Sequence, residues 1–392
     1  MSRYHSYLNS AEAIISTYNG DEPLALFLKK TFAANKKFGS KDRKQVTHLC
    51  YCYFRLGKVD ITTSLQDRLL IGLFLCSNQP SEMLQALHPG WNNKVGLCLE
   101  EKQSIIHHSF LITDIFPWHT EWSSGIDKVA FNKFHLVQPL LFLRVRPGYE
   151  NVVKQKLTQH SIGYQLLGDS CIALHNNTKL DGIIKLDKEA VVQDYSSQRV
   201  GQLLLLIKSK LDKPIKVWDC CAASGGKSIL ATDMLGQLDL TVSDVRQSIL
   251  ANLHKRFANA GLKQYHSAVV NLLDIEKGFL KKAQPYAIII CDAPCTGSGT
   301  WSRTPEQLYF FQADKIAAFA SLQKKIAINA IEHLQAGGYF LYITCSVFKQ
   351  ENEDVVEVIL QKNNCSLIMQ QLIIGYEQKA DTLFAALFKK SN

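Results

Sequence analysis

VWDCCAASGGKS, from Val217 to Ser228, is the stretch on which the reading of this chain turns. A short apolar strand, Ile215 to Trp218, ends in Asp219 and gives way to small residues and a Gly225-Gly226-Lys227 turn. An apolar helix follows. A strand that breaks into a small-residue loop and then opens a helix is a ligand cradle in α/β proteins. Small side chains let the backbone approach a ligand, and the helix start offers unpaired N–H groups.

Working outward, strands and helices alternate. After the cradle come a helix over 227–235, a strand over 238–243, a helix over 246–260 and a strand over 268–270. A strand over 286–290, a helix over 315–334 and a strand over 339–343 continue the pattern. The tail predicts a helix over 352–360 and strands over 367–370 and 382–388. Runs such as Ala287-Ile288-Ile289-Ile290 are what a parallel sheet covered on both faces requires. Upstream, 141–146 reads as a strand, 150–160 as a helix, and 164–167 with 171–175 as a strand pair joined at Gly168-Asp169. Arg144 and Arg146 lie two apart and share one strand face, where they suggest RNA contact or simple solvation. The first part reads as all helix, with apolar residues at helical spacing over 7–18, 23–32, 42–56 and 65–76. Lys29, Lys30, Lys36, Lys37, Lys41, Arg43 and Lys44 cluster there with Phe32 and Phe38 interleaved. Such a run is either a solvated helix face or a phosphate-contacting surface.

The chain has 392 residues, enough for two or three domains, and 46% hydrophobic with 20% charged residues is ordinary for a globular protein. No apolar run approaches the ~20 residues of a membrane span. The opening MSRYHSYLNSAEAI lacks a basic-then-apolar signal pattern, so a cytoplasmic location is expected. Eleven cysteines in such a chain read as free thiols. A net charge of +9 suits a polyanionic partner or marks a merely basic surface.

Gly226-Lys227-Ser228 ends like a phosphate loop, but Cys221 stands where that motif needs its first glycine. The dinucleotide glycine pattern is absent too, which disfavours NTPases and nicotinamide dehydrogenases. S-adenosylmethionine remains as a ligand of such sheets. Asp244, after the second strand, is placed to accept from both hydroxyls of an adenosine ribose, or to cap the next helix. The fourth strand ends in CDAPCTGSGTW (291–301) and the fifth in YITCS (342–346). Asp292, Cys295 and Cys345 thereby converge on the carboxyl edge of the sheet, where open α/β sheets bind ligands. A metal at Cys291 and Cys295 is the alternative, but their spacing is not that of a zinc pair. Cys50, Cys52, Cys76, Cys98, Cys171, Cys291 and Cys365 read as small buried hydrophobes.

With DCCAASGGKS, DAPCTGSGTW and YITCSVFKQENE in this order, the chain resembles the RsmB/Sun (Fmu) family of S-adenosylmethionine-dependent RNA cytosine-5 methyltransferases. The resemblance covers essentially the whole chain. It implies a helical NusB-like RNA-binding domain over 1–135 and a small α+β, ferredoxin-like RNA-binding region over 136–195. A Rossmann-like class I methyltransferase domain follows over 196–392, entered through VVQDYSSQ (191–198). It assigns nucleophilic attack on cytosine C6 to Cys345, and proton loss and enzyme release to Cys295. Asp292 would hydrogen-bond the ring, with Lys227 beside it. Cytosine-5 DNA methyltransferases attack with the Pro-Cys cysteine instead, so residue chemistry alone leaves the two thiols interchangeable.

The resemblance further implies cofactor contacts from Cys221, Ala222, Ala223, Ser224, Gly225, Gly226 and Lys227, from Asp244, and from Asp292. The family's adenine-side aspartate is replaced: AVVN (268–271) aligns Asn271 there, with Asp274 as a competitor. Ser224 stands where the family has proline. The expected substrate is small-subunit ribosomal RNA. Transfer RNA with the same chemistry, and a non-catalytic RNA-binding assembly factor, are the alternatives. Neither a metal nor a membrane is expected, and the architecture can work as a monomer.

Overall fold

The structure, a computed structural model, describes residues 3–59, 64–106, 110–274 and 285–392. They form two compact units, one of residues 1–120, 126–138 and 300–313, the other of 121–125, 139–299 and 314–392.

The first unit is helical. Helices Arg3–Thr17, Leu24–Ala34, Ser40–Arg55 and Leu65–Cys76 form where the apolar spacing places them, followed by shorter pieces such as Leu99–Ile106 and Lys128–His135. A Cβ on Gly72 would fall 2.4 Å from the Cys52 carbonyl oxygen, so only glycine lets the third and fourth helices approach this closely. Arg55 is buried, and its partners are carbonyls and an amide. Its guanidinium donates to the carbonyls of His135, Val137 and Ser302 and to Gln138 Oε1, at 2.7–3.0 Å. Those bonds hold the later segments of the unit against the Ser40–Arg55 helix. The lysine run between residues 29 and 44 is solvent-exposed throughout; Lys30 pairs with Glu22 at 2.7 Å.

The second unit holds two sheets. The smaller is antiparallel, from β1 (Leu141–Val145), β2 (Tyr164–Leu166), β3 (Cys171–Leu174) and β4 (Ala190–Val192), in the order β2-β3-β1-β4. Helix Glu150–Gln159 covers one face by burying Val153 and Leu157 against Leu143 and Ile172. The fourth strand is absent from the sequence reading; three residues carry too little pattern to stand out. The larger sheet comprises β5 (Ile215–Asp219), β6 (Leu238–Asp244), β7 (His266–Val269), β8 (Tyr286–Asp292), β9 (Leu334–Thr344), β10 (Cys365–Ile373) and β11 (Leu383–Lys390). Its order is β10-β11-β9-β8-β5-β6-β7; the first five strands in sequence pair in parallel, and β11 runs antiparallel between β9 and β10.

Both faces of this sheet are covered, as its continuous apolar strands require. Ile229, Leu253 and Phe257 from helices Gly226–Leu235 and Gln247–Ala260 fill one side; Ile326, Ala327, Val355 and Ile359 from Asp314–Glu332 and Glu353–Lys362 fill the other. From β5 the chain winds outward to β6 and β7, then returns to lay β8 on the other side of β5. That reversal opens a crevice at the carboxyl ends of β5 and β8, the place where such sheets take ligands.

Candidate active site

The cradle stands at the mouth of this crevice. Helix Gly226–Leu235 has Gly225 as N-cap and no side-chain cap, so its first N–H groups stay available to a ligand. Gly225 has φ +82°, and a Cβ there would meet Phe257 Cε1 at 2.5 Å. Ala223 also sits at positive φ, +45°, a strained conformation for a residue with a side chain. The strain is held by partners. Ala223 N–H donates to Asp244 Oδ2 at 3.0 Å, and Ala222 N–H to the Ser243 carbonyl at 2.9 Å. Ser224 accepts from Arg256 at both its carbonyl, 3.1 Å, and its hydroxyl, 2.8 Å, so the residue in the proline position is anchored by side-chain chemistry.

Asp219 ends β5 wholly buried. Its Oδ2 accepts from Ser228 at 2.6 Å while Oδ1 has no partner among the described residues, and burial pushes its carboxyl up to about 7. Asp244 is buried at the end of β6; besides Ala223 it accepts from Arg246 N–H at 2.9 Å. The helix it precedes is capped at Arg246, so Asp244 ties loops together and is not the N-cap. Asn271 lies past the end of β7, exposed, with Oδ1 accepting from Leu273 N–H at 3.1 Å; Asp274 is exposed nearby in the chain.

At the end of β8, Asp292 Oδ2 accepts from Lys227 Nζ at 3.0 Å, and the same ammonium donates to Ser197 at 2.8 Å. Burial pulls the Lys227 ammonium down, but the charge and hydrogen bond of Asp292 help hold the group above its ordinary value. Cys345 follows β9, and its N–H donates to Cys295 Sγ at 3.3 Å, bringing the DAPC and TCS loops together. Hydrogen bonding with Cys295 and then desolvation push the Cys345 thiol well above its usual range. Close approach of these loops depends on Gly299, whose N–H donates to the Cys345 carbonyl at 2.8 Å and whose own carbonyl accepts from Thr382 N–H at 3.0 Å.

Two expectations are corrected. Arg144 and Arg146 are neither solvated nor free for RNA: both pair with Asp233 of helix Gly226–Leu235, and Arg144 is 1% exposed. A single carboxylate draws both cations inward, which strand-face periodicity alone does not reveal. Among the supposed small hydrophobes, Cys98 is exposed and Cys76 and Cys365 are partly so. Cys291 does pack in the core, but beside Cys220 and Cys221, with all three sulfurs within 4.8 Å of one another. Hydrogen bonds from Cys220 and then Cys291 pull the Cys221 thiol down to about 5.

Ser197, the second partner of Lys227, and Glu351, which accepts from Thr296 N–H and the Ser346 hydroxyl beside the two cysteines, border the site and do not stand out in the sequence. Both sit inside quoted stretches, VVQDYSSQ and YITCSVFKQENE, so proximity to a motif was the available signal.

Residues 206–384 match the family described as 16S rRNA methyltransferase RsmB/F. The chain is 30% identical to ribosomal RNA small subunit methyltransferase B of Xanthomonas campestris over 212 residues, half of this chain and 46% of that protein. It is 30% identical to the Pasteurella multocida protein of the same name over 263 residues, 63% of this chain and 57% of that one. The human 28S rRNA (cytosine(4447)-C(5))-methyltransferase is 28% identical over 198 residues, 48% of this chain and 23% of its own. The chain thus spans between about a quarter and just over half of these relatives. In structure it resembles the protein PH0851 over 94% of its length and 95% of that chain, with a TM-score of 0.68 at 17% identity. It resembles NSun6 from Pyrococcus horikoshii, solved with SFG, over 65% of its length and 91% of that chain, with a TM-score of 0.54 at 14% identity. The larger sheet is a Rossmann-like methyltransferase fold. Residues 206–384 thus form a domain similar to the RsmB/F (Sun) methyltransferases.

Proposed function

We propose that this chain transfers a methyl group from S-adenosylmethionine to C5 of a cytosine in RNA, with small-subunit ribosomal RNA as substrate. The observation that carries the reading is the meeting of Cys345 and Cys295 beside the Lys227–Asp292 pair, at the mouth of the crevice that holds the cradle. The cradle fits the cofactor: unpaired helix N–H groups, a glycine that no larger residue could replace, and an orphaned oxygen on Asp219. S-adenosylmethionine, when bound, supplies an electrophilic methyl group. Residues 221–227 would hold it by their backbone, Asp244 by its ribose and Asn271 on its adenine side.

Cytosine C5 is a poor nucleophile until something adds to C6. Cys345 first releases its proton to solvent; the thiolate sulfur then forms that bond, and the displaced electron pair passes into the ring and makes C5 nucleophilic. Asp292 hydrogen-bonds the ring as the adduct forms, and the Lys227 cation keeps the carboxylate in place. Once C5 is methylated, Cys295 assists removal of its proton. The electron pair of that C–H bond reforms the ring double bond and expels the Cys345 thiolate.

The helical unit supports an RNA-binding reading, NusB-like over 1–135, through its exposed lysine run. The small sheet supports a ferredoxin-like reading over 136–195 through its strand order, 4-1-3-2 read from the far edge, with one helix between its first two strands. The deciding experiment incubates the protein with labelled cofactor and total RNA, then maps the product. Label at C5 of small-subunit ribosomal RNA is expected. Label in transfer RNA moves the substrate, and label in no RNA fraction overturns the enzyme reading in favour of an RNA-binding factor. Cys345→Ala should form no covalent RNA adduct and Cys295→Ala should accumulate one; the reverse exchanges their roles.

A further inference from the structure

Glu351 is wholly buried, and one carboxylate there gathers four donors. Oε2 accepts from Thr296 N–H at 2.9 Å and Gln323 Nε2 at 2.8 Å; Oε1 accepts from the hydroxyls of Thr296 and Ser346, each at 2.5 Å. Thr296 directly follows Cys295, and Ser346 directly follows Cys345. Gln323 donates to the Pro294 carbonyl as well, at 3.0 Å, so the DAPC loop is held on both sides of its cysteine. Ser298 closes the ring, 3.1 Å from Ser346 Oγ and accepting from Val347 N–H at 2.9 Å.

We infer that Glu351 is a positioning residue that fixes the spacing of the two thiols. The inference rests on the proposed cytosine-5 chemistry, in which one sulfur must reach C6 while the other serves the C5 proton of the same ring. Such a reaction tolerates displacements of only about half an ångström. A carboxylate accepts all four bonds because it is acceptor-only. An amide of the same shape cannot: with its oxygen on the Thr296 N–H and the Gln323 amide, its NH2 turns the Thr296 and Ser346 hydroxyls from donors into acceptors, and both must rotate away from the geometry that ties the two loops. Glu351→Gln therefore splays the loops without emptying the site.

The test measures methyl transfer to protein-free small-subunit ribosomal RNA, with cofactor affinity read separately. Glu351→Gln is expected to lower kcat at least 30-fold, with KM for RNA and Kd for S-adenosylmethionine unchanged within threefold. Adding Thr296→Val to it should cost little more, because the bonds are already broken. A kcat within threefold of the wild type overturns the inference, as does an equal loss in cofactor affinity, the mark of a general structural role. A second readout needs no activity: bridging of Cys295 to Cys345 by a monoarsenical reagent, mapped by mass spectrometry. Bridging in the wild type and not in Glu351→Gln supports the inference even if no RNA is methylated, and equal bridging overturns it. Inactivity of the wild type on every RNA counts against the function reading alone.

Discussion

The Lys227 ammonium lies 3.0 Å from Asp292 Oδ2, and its second partner, the Ser197 hydroxyl, also accepts from Gln193 Nε2 at 3.2 Å. Gln193 in turn accepts from Arg144 Nε at 2.7 Å. A continuous polar chain thus runs from the small sheet to the proposed catalytic carboxylate. Lys227→Met removes the one cation at its end. A hydrogen bond to a charged group is worth roughly 1.5–3 kcal/mol, so methyl transfer is expected to fall roughly 10- to 100-fold. Ser197→Ala leaves the ion pair intact and should lower the rate less than tenfold. Equal losses in the two variants, measured with labelled cofactor, would show that orientation and not charge dominates.

Asp233 holds both Arg144 and Arg146, with its side chain 4% exposed. Removing one member of such a group leaves buried charge uncompensated, which typically costs about 3–5 kcal/mol. Asp233→Ala is expected to lower the stability of the second unit by about that amount in urea unfolding. Combining it with Arg144→Met should recover part of the loss. No recovery in the double variant would mean that Arg146 alone accounts for the cost.

A Cβ on Gly299 would lie 1.9 Å from the Thr382 carbonyl oxygen and 3.0 Å from that of Cys345. Both neighbours are backbone and cannot swing away. Gly299→Ala should therefore separate the DAPC and TCS loops at a cost on the order of 3 kcal/mol, above ordinary overpacking at its low end. Limited proteolysis and thermal melting check it; a melting temperature equal to the wild type's would contradict the clash.

The Cys345 thiol is held well above its ordinary range, so it is protonated at neutral pH in the free protein. Only the thiolate reacts. Alkylation of Cys345 by iodoacetamide should keep rising beyond pH ~8.5, where an ordinary thiol is half ionised. Lys227 is among the groups that lower this thiol, so Lys227→Met should make Cys345 less reactive at any fixed pH. A plateau below pH 8 in the wild type would contradict the hydrogen bonding described between the two cysteines.

The larger sheet was legible because buried parallel strands carry continuous apolar runs, as in Ile288-Ile289-Ile290, and β5, β8 and β9 each end in a distinctive motif, DCCAASGG, DAPCTGSG and TCS. Local pattern also placed the helices of the first unit. What stayed hidden depends on partners distant in sequence. Arg144 and Asp233 are 89 positions apart, and a charged residue on a strand face looks the same whether it meets solvent or a carboxylate. Glu351 reads as one more acid in a polar stretch, and only the fold brings Thr296, 55 positions away, onto its oxygens. Three-residue β4 fell below any periodic signal.

Asp219 supplies a pH dependence with a definite sign. Burial raises its carboxyl to about 7, against ~3.9 in an unfolded chain. Between those values the unfolded chain has lost this proton and the folded protein keeps it. The folded state then binds more protons, so stability falls as pH rises from about 4 to about 7 and levels off above. A displacement of about three units corresponds to a contribution on the order of 4 kcal/mol. Asp219→Asn keeps an acceptor for the Ser228 hydroxyl and removes the titration. Urea unfolding at pH 4.5 and 7.5 should show the wild type losing stability relative to the variant across that interval. Groups elsewhere titrate alike in both proteins, so the difference of differences isolates Asp219. Parallel pH profiles in the two proteins would mean that the Asp219 carboxyl ionises in the fold as it does in water.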